Sequence, residues 1–152
     1  KLFPGTVDKY ETFFLTFTCV AAALLNDVFA YFVGSALGRH KMTPVLSPHK
    51  SWEGAVGGVV CDVVCMLLFL LLFVKCFAKK GFVLSTGYYA VMVLVTAVLS
   101  IFGDLMASLI KRNYGVKDYS HLIPGHGGIM DRFDSVVLAA PTVFAMTYLY
   151  CM

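Results

Sequence analysis

The chain has 152 residues, of which 59% are hydrophobic and only 14% charged, and its mean hydropathy is +0.81. Soluble domains run at roughly 45–50% apolar and about 25% charged, so this chain has too little polar surface to face water on all sides, and the bilayer is its expected solvent. Disorder, a coiled coil, a disulfide-stapled secreted module and a nucleic-acid-binding domain are all poor fits to the same numbers. The formal charge of +3 is small, so where the charges fall matters more than their sum.

The chain opens on Lys1 and closes on Met152 directly behind an apolar run, and it is expected to be a piece of a longer protein. No removable signal peptide is expected at its start. Cys19, Cys61, Cys65, Cys76 and Cys151 lie mostly in apolar stretches, without a paired or His-accompanied spacing. They read as packed or lipid-facing thiols rather than a metal or disulfide framework.

A membrane-crossing helix needs about 20 apolar residues. In chain order, residues 13–37, 54–77, 82–103 and 135–152 supply such runs, which predicts an all-α, polytopic transmembrane bundle of about four helices. The runs are continuous rather than alternating, and an open sheet edge in lipid would leave backbone groups unpaired. One membrane-embedded domain over residues 1–152 is expected, with polar loops at about 38–53 and 104–134. Lys1, Lys9, Lys75, Lys79 and Lys80 fall on one side of this topology. Arg39, Lys41, Lys50, Lys111, Arg112, Lys117 and Arg132 fall on the other, which places both polar loops in the cytoplasm by the positive-inside rule.

Asn26 and Asp27 interrupt the first run. A carboxylate inside a span costs roughly 2.5–3.5 kcal/mol on insertion scales, so Asp27 reads either as functional or as a protonated acid satisfied by a neighbouring helix. Asp62 interrupts the second run without polar company and is expected to make a helix-packing hydrogen bond. Gly34 and Gly38, and Gly54 with Gly57 and Gly58, have the spacing that lets helices approach closely.

Most of the chemistry lies in residues 104–134. Lys111, Arg112, Lys117 and Arg132 are cations, Asp104, Asp118, Asp131 and Asp134 offer hard oxygen donors, and the Pro124–Gly128 turn lets backbone N–H groups approach a ligand. This mixture suits phosphates bridged by Mg²⁺, which takes one or two carboxylates together with phosphate oxygens and water. Asp131 and Asp134 are three apart and share a face if helical. The alternative from charge alone is a basic loop resting on anionic lipid.

The order of these residues resembles the CDP-diacylglycerol synthase family, the phosphatidate cytidylyltransferases. The family pattern S-x-x-K-R-x4-K-D-x-[GSA]-x2-[LIF]-[PG]-x-H-G-G-x-x-D-R-x-D is met in full by Ser108, Lys111, Arg112, Lys117, Asp118, Ser120, Ile123, Pro124, His126, Gly127, Gly128, Asp131, Arg132 and Asp134. The stretch from Leu46 to Gly54 and the pattern from Asn26 to Gly38 are also family-like. The resemblance runs over about residues 24–140 and corresponds to the C-terminal half of a usual member. Two departures stand out: Ala107 where members with the bacterial type of motif carry Glu, and His49 in place of a usual Lys.

The resemblance implies a Mg²⁺-dependent enzyme of phospholipid biosynthesis that condenses CTP with phosphatidate to CDP-diacylglycerol and pyrophosphate. It implies Asp104, Asp131, Asp134 and Asp27 as metal ligands, with Asp131, Asp134, Lys111 and Arg132 carrying the reaction. Lys50, Ser108, Arg112, Lys117, His126, Gly127, Gly128 and Asn26 would bind substrate, His126 serving equally well as a phosphate donor or a turn residue. The expected partners are CTP, phosphatidate in the membrane and a second copy in a homodimer, with no nucleic acid. The rival readings are another CTP-dependent lipid transferase and a polytopic transporter with lipid-binding loops.

Overall fold

A computed structural model describes residues 9–43, 47–77, 85–116 and 133–151. Four helices and one small hairpin make up this part: α1 (Lys9–Leu37), β1 (Lys41–Thr43), β2 (Ser47–Ser51), α2 (Trp52–Phe77), α3 (Thr86–Asn113) and α4 (Val136–Cys151). Stretches Phe13–Leu37, Trp52–Cys76 and Thr86–Asn113 are long and apolar enough to cross a membrane, while the apolar part of α4, Val136–Tyr150, is shorter. The protein is an integral membrane protein of the expected all-α bundle type.

α1 and α2 approach closely because their facing positions carry no side chain. A Cβ on Gly54 would meet the Ala30 carbonyl oxygen at 2.7 Å and Gly34 Cα at 2.9 Å, and one on Gly58 would meet Ala30 Cβ at 2.9 Å. Each step of four along α2 is matched by a step of four backwards along α1, so the next position, Asp62, comes level with Asn26. Helices in lipid gain little from the hydrophobic effect and hold together by such close contact.

At the opposite end the bundle is filled with rings. Phe14 is fully buried, with its ring centroid 5.5 Å from that of Phe69, 4.4 Å from Phe73 and 5.5 Å from Tyr89. The Tyr89 hydroxyl shares a hydrogen bond of 3.1 Å with Thr18 and donates to Met66 Sδ at 3.8 Å. Beyond it, Tyr88 donates to the Met146 carbonyl at 2.5 Å, and Tyr150 accepts from the Ser85 amide at 3.1 Å. The start of α3 is thereby fastened to the end of α4.

The structure corrects three expectations. The first part of the 104–134 segment is helix rather than loop, because α3 continues to Asn113. It ends there in a Schellman turn: Gly115, at φ 68°, donates to Arg112 O, and Val116 donates to Lys111 O, both at 3.0 Å. Within residues 38–53, an antiparallel hairpin pairs Lys41 with Ser51 and Thr43 with Ser47. Finally, the buried Asp62 makes no hydrogen bond with any described residue; the amide donor level with it on α1, that of Asn26, is spent on α3.

Candidate active site

The close end of the bundle gathers the C-terminal half of α1, the hairpin, the start of α2, the last turns of α3 and the head of α4. Each brings a polar side chain for a local reason. The hairpin is closed by backbone donation from Trp52 to His40 O at 3.0 Å. The His40 amide and ring reach Glu53 on the first turn of α2, the ring at 2.6 Å. Ser51 Oγ accepts the Gly54 amide at 3.1 Å and caps α2. Lys50 is thus held on β2 and turned towards α3, where it forms an ion pair with Asp104.

Asp104, Ser108 and Lys111 lie on one face of α3, spaced by four and three residues. Ala107 is buried beside them. Lys111 and Arg112 stand in the last turn of α3, where a positive charge is favoured by the helix dipole. Lys111 Nζ reaches Asp134 Oδ2 at 3.5 Å, and both side chains are about nine-tenths buried. Asp134 sits before the first residue of α4, where an anion is favoured by the dipole, and its Oδ1 accepts the Ser135 amide at 3.0 Å.

From α1, the Asp27 carboxylate accepts the Ser135 hydroxyl and lies within electrostatic range of Asp104, Asp134 and Lys50. Asn26 is fully buried one residue earlier. Its Nδ2 donates to Ser100 Oγ at 3.0 Å and to Ala97 O at 3.3 Å, which fixes α1 against α3. Asn26 therefore spends its donor on the bundle, and its Oδ1 has no partner among the described residues.

Asp134 feels this crowding. Burial, then the like charge of Asp104, pushes its carboxyl above the ordinary aspartate range, while Lys111 and the Ser135 amide pull it back. Three carboxylates and two ammonium groups from α1, β2, α3 and α4 thus interact in one small region. Among the described residues, no three His, Cys, Asp or Glu side chains already stand close enough to share a metal ion.

The donor set nonetheless suits a hard divalent cation: carboxylate oxygens only, in like-charged proximity, with Mg²⁺ needing no more than one or two of them beside a substrate phosphate. Of the expected site residues, the structure brings together Asp27, Lys50, Asp104, Lys111 and Asp134. It places Ser108 on their helix face, and Arg112 is exposed. Lys117, Asp118, His126, Gly127, Gly128, Asp131 and Arg132 lie outside the described residues. His49 lies in β2. Ser135, which touches both Asp27 and Asp134, was not expected, since a lone serine ahead of an apolar run reads as an ordinary helix start.

The cytidylyltransferase family model matches residues 2–150. A phosphatidate cytidylyltransferase of Haemophilus influenzae is 39% identical over 147 residues, covering 97% of this chain and 50% of that protein. One of Bacillus subtilis is 37% identical over 156 residues, covering 95% and 51%, and one of Pseudomonas aeruginosa is 51% identical over 122 residues, covering 80% and 43%. The chain spans about half the length of the relatives it matches. With the family model covering nearly every residue, and with the full 108–134 pattern in its sequence, the chain belongs to the cytidylyltransferase family.

Proposed function

We propose that the protein of which this chain forms part is a phosphatidate cytidylyltransferase, joining CTP to phosphatidate with release of pyrophosphate. The observation that carries this reading is the meeting of Asp27, Lys50, Asp104, Lys111 and Asp134 at one end of the bundle, in a member of a family whose relatives bear that name. The polar end faces the cytoplasm, where CTP is found, and the apolar faces of the helices keep the lipid substrate within reach.

In the reaction, a phosphatidate phosphate oxygen forms a bond to the α-phosphorus of CTP, and the bond from that phosphorus to the bridging oxygen of the leaving pyrophosphate breaks. No covalent intermediate on the protein is required. The work is to align two polyanions and to neutralise the charge that develops on the leaving group.

Lys111, at the end of α3, and Lys50, on the hairpin, each carry a positive charge that a phosphate oxygen can take over from Asp134 and Asp104. Arg112 reaches outward from the same turn to meet incoming nucleotide. Asp27, Asp104 and Asp134, with Asp131, would hold Mg²⁺, which when bound supplies further charge neutralisation at the phosphates. Exchange of lysine partners from carboxylate to phosphate leaves the carboxylates available as ligands, so substrate and cation are drawn in together.

The test is incorporation of radiolabelled CTP into extractable lipid by the full-length parent, with phosphatidate and Mg²⁺ each supplied or omitted. Product that requires both is expected. Ion or solute flux without CTP dependence would instead support a transporter.

A further inference from the structure

We propose that Ser135 is a positioning residue: it clasps Asp27 of α1 to the head of α4 and so fixes the Asp27 and Asp134 carboxylates relative to each other for a shared divalent cation. The inference deepens the cytidylyl-transfer reading and rests on it for the nature of the bound ion.

Ser135 is 1% exposed, and its three polar groups point three ways. Its amide donates to Asp134 Oδ1 at 3.0 Å. Its carbonyl accepts the Ala139 amide at 3.4 Å and opens α4. Its hydroxyl donates to Asp27 Oδ2, across 108 positions of sequence. A hydroxyl has one proton to donate. Asp134 Oδ1 lies 3.5 Å from the same oxygen, and the shorter contact to Asp27 takes the proton.

An ordinary capping serine accepts a hydrogen bond from an amide two or three residues on. Among the described residues Ser135 Oγ accepts none, and its side chain is turned towards α1 instead. Among the described residues, it is the one hydrogen-bond donor to the Asp27 carboxylate. Without it, no described donor holds Asp27 beside Asp134, and Asp27 would be free to turn towards Lys50.

Mg²⁺ tolerates little departure from octahedral geometry, and loss of a residue that orients a ligand commonly costs about 10- to 100-fold in metal affinity. The Ser135 clasp thus carries to α1 the position set by the Lys111–Asp134 pair between α3 and α4. Three helices are fixed at one point by one small side chain.

The test uses the full-length parent in lipid nanodiscs as wild type, Ser135→Ala, Ser135→Thr, Asp27→Asn and the Ser135→Ala/Asp27→Asn double variant. Mn²⁺ binding is titrated by electron paramagnetic resonance without nucleotide, alongside CTP incorporation. Ser135→Ala is expected to weaken Mn²⁺ binding by about 10- to 100-fold, and Ser135→Thr, which keeps the hydroxyl, to restore most of it. The double variant is expected to match Asp27→Asn, because the hydroxyl acts through Asp27.

Wild-type Mn²⁺ affinity in Ser135→Ala overturns the proposal, as do the absence of Mn²⁺ binding in the wild type and full additivity in the double variant. If Ser135→Ala does not yield folded protein, Ser135→Cys keeps the volume with a much weaker donor and carries the same expectation. A parent that makes no CDP-lipid while the Mn²⁺ pattern holds removes the cytidylyl-transfer reading and leaves the clasp. Normal turnover with unchanged Mn²⁺ affinity in the variants does the reverse.

Discussion

The two ends of this bundle use opposite means to hold the same four helices. At one end Phe14, Phe69, Phe73 and Tyr89 fill the space between helices with rings, and the hydroxyls there find partners. At the other, glycines bring α1 and α2 into backbone contact, and cross-helix bonds tie together carboxylates that would otherwise separate. The apolar end needs nothing from outside to be complete. At the polar end three carboxylates, Asp27, Asp104 and Asp134, meet two lysines, Lys50 and Lys111, an arrangement suited to a cation and a phosphate still to arrive.

The largest expected effect breaks the polar end alone. Asp134→Asn should lower CTP incorporation per folded molecule by about 100-fold or more, equivalent to about 2.7 kcal/mol of transition-state stabilisation. A variant that melts early and keeps its activity per folded molecule would make Asp134 a structural residue.

Breaking the ring-filled end should do the opposite. Phe14 lies within a span, so the transfer of its ring from water contributes little, and the cost of Phe14→Ala is chiefly the void. At about 24 cal/mol per Å³, a void of about 100 Å³ costs about 2 kcal/mol. Thermal melting should fall accordingly, while KM for CTP measured on the folded fraction stays at its wild-type value. A changed KM would show that the two ends are coupled.

Asp62 sharpens the comparison from between the ends. It is fully buried, and neither oxygen has a hydrogen-bond partner among the described residues. An unsatisfied buried polar group costs roughly 1–3 kcal/mol, so Asp62→Leu should raise the melting temperature. A fall would reveal a partner for the carboxylate.

How much of this was legible beforehand follows from what a sequence can encode locally. The four apolar runs and the glycine spacing announce the bundle, because both signals are periodic. Asp27 is conspicuous as a charge in an apolar run, and Asp104, Lys111 and Asp134 stand in a pattern that marks the family. The helical state of 104–113 was hidden because its charges resemble a loop, although Asp104, Ser108 and Lys111 already had helical spacing. The hairpin was hidden because strands of three and five residues are too short to show alternation. Neither the pairing of Lys50 with Asp104 nor the turning of Ser135 to Asp27 could be read, since both depend on how helices far apart in sequence are placed. That Asp62 lacks a hydrogen-bond partner among the described residues has the same origin, since it depends on what the packed helices bring opposite it.

The smallest effect expected is a dependence on pH that separates activity from stability. Burial and Asp104 raise the Asp134 carboxyl above the ordinary aspartate range, so as pH falls it takes up a proton earlier than an exposed aspartate would. Its charge and its ion pair with Lys111 are then lost, and CTP incorporation should decline on the acid side sooner than an ordinary carboxylate predicts. Stability has the other sign. A folded-state pKa above the unfolded value means that the fold favours the protonated form. The contribution of Asp134 to stability is therefore full below the unfolded value and is lost as pH rises through the raised one. The melting-temperature difference between wild type and Asp134→Asn should accordingly shift in favour of the wild type as pH is lowered through that window, even while activity falls. A difference that shifts the other way would mean that Lys111 outweighs burial at this carboxylate, and that the polar end is held by its charges as firmly as the other end is held by its rings.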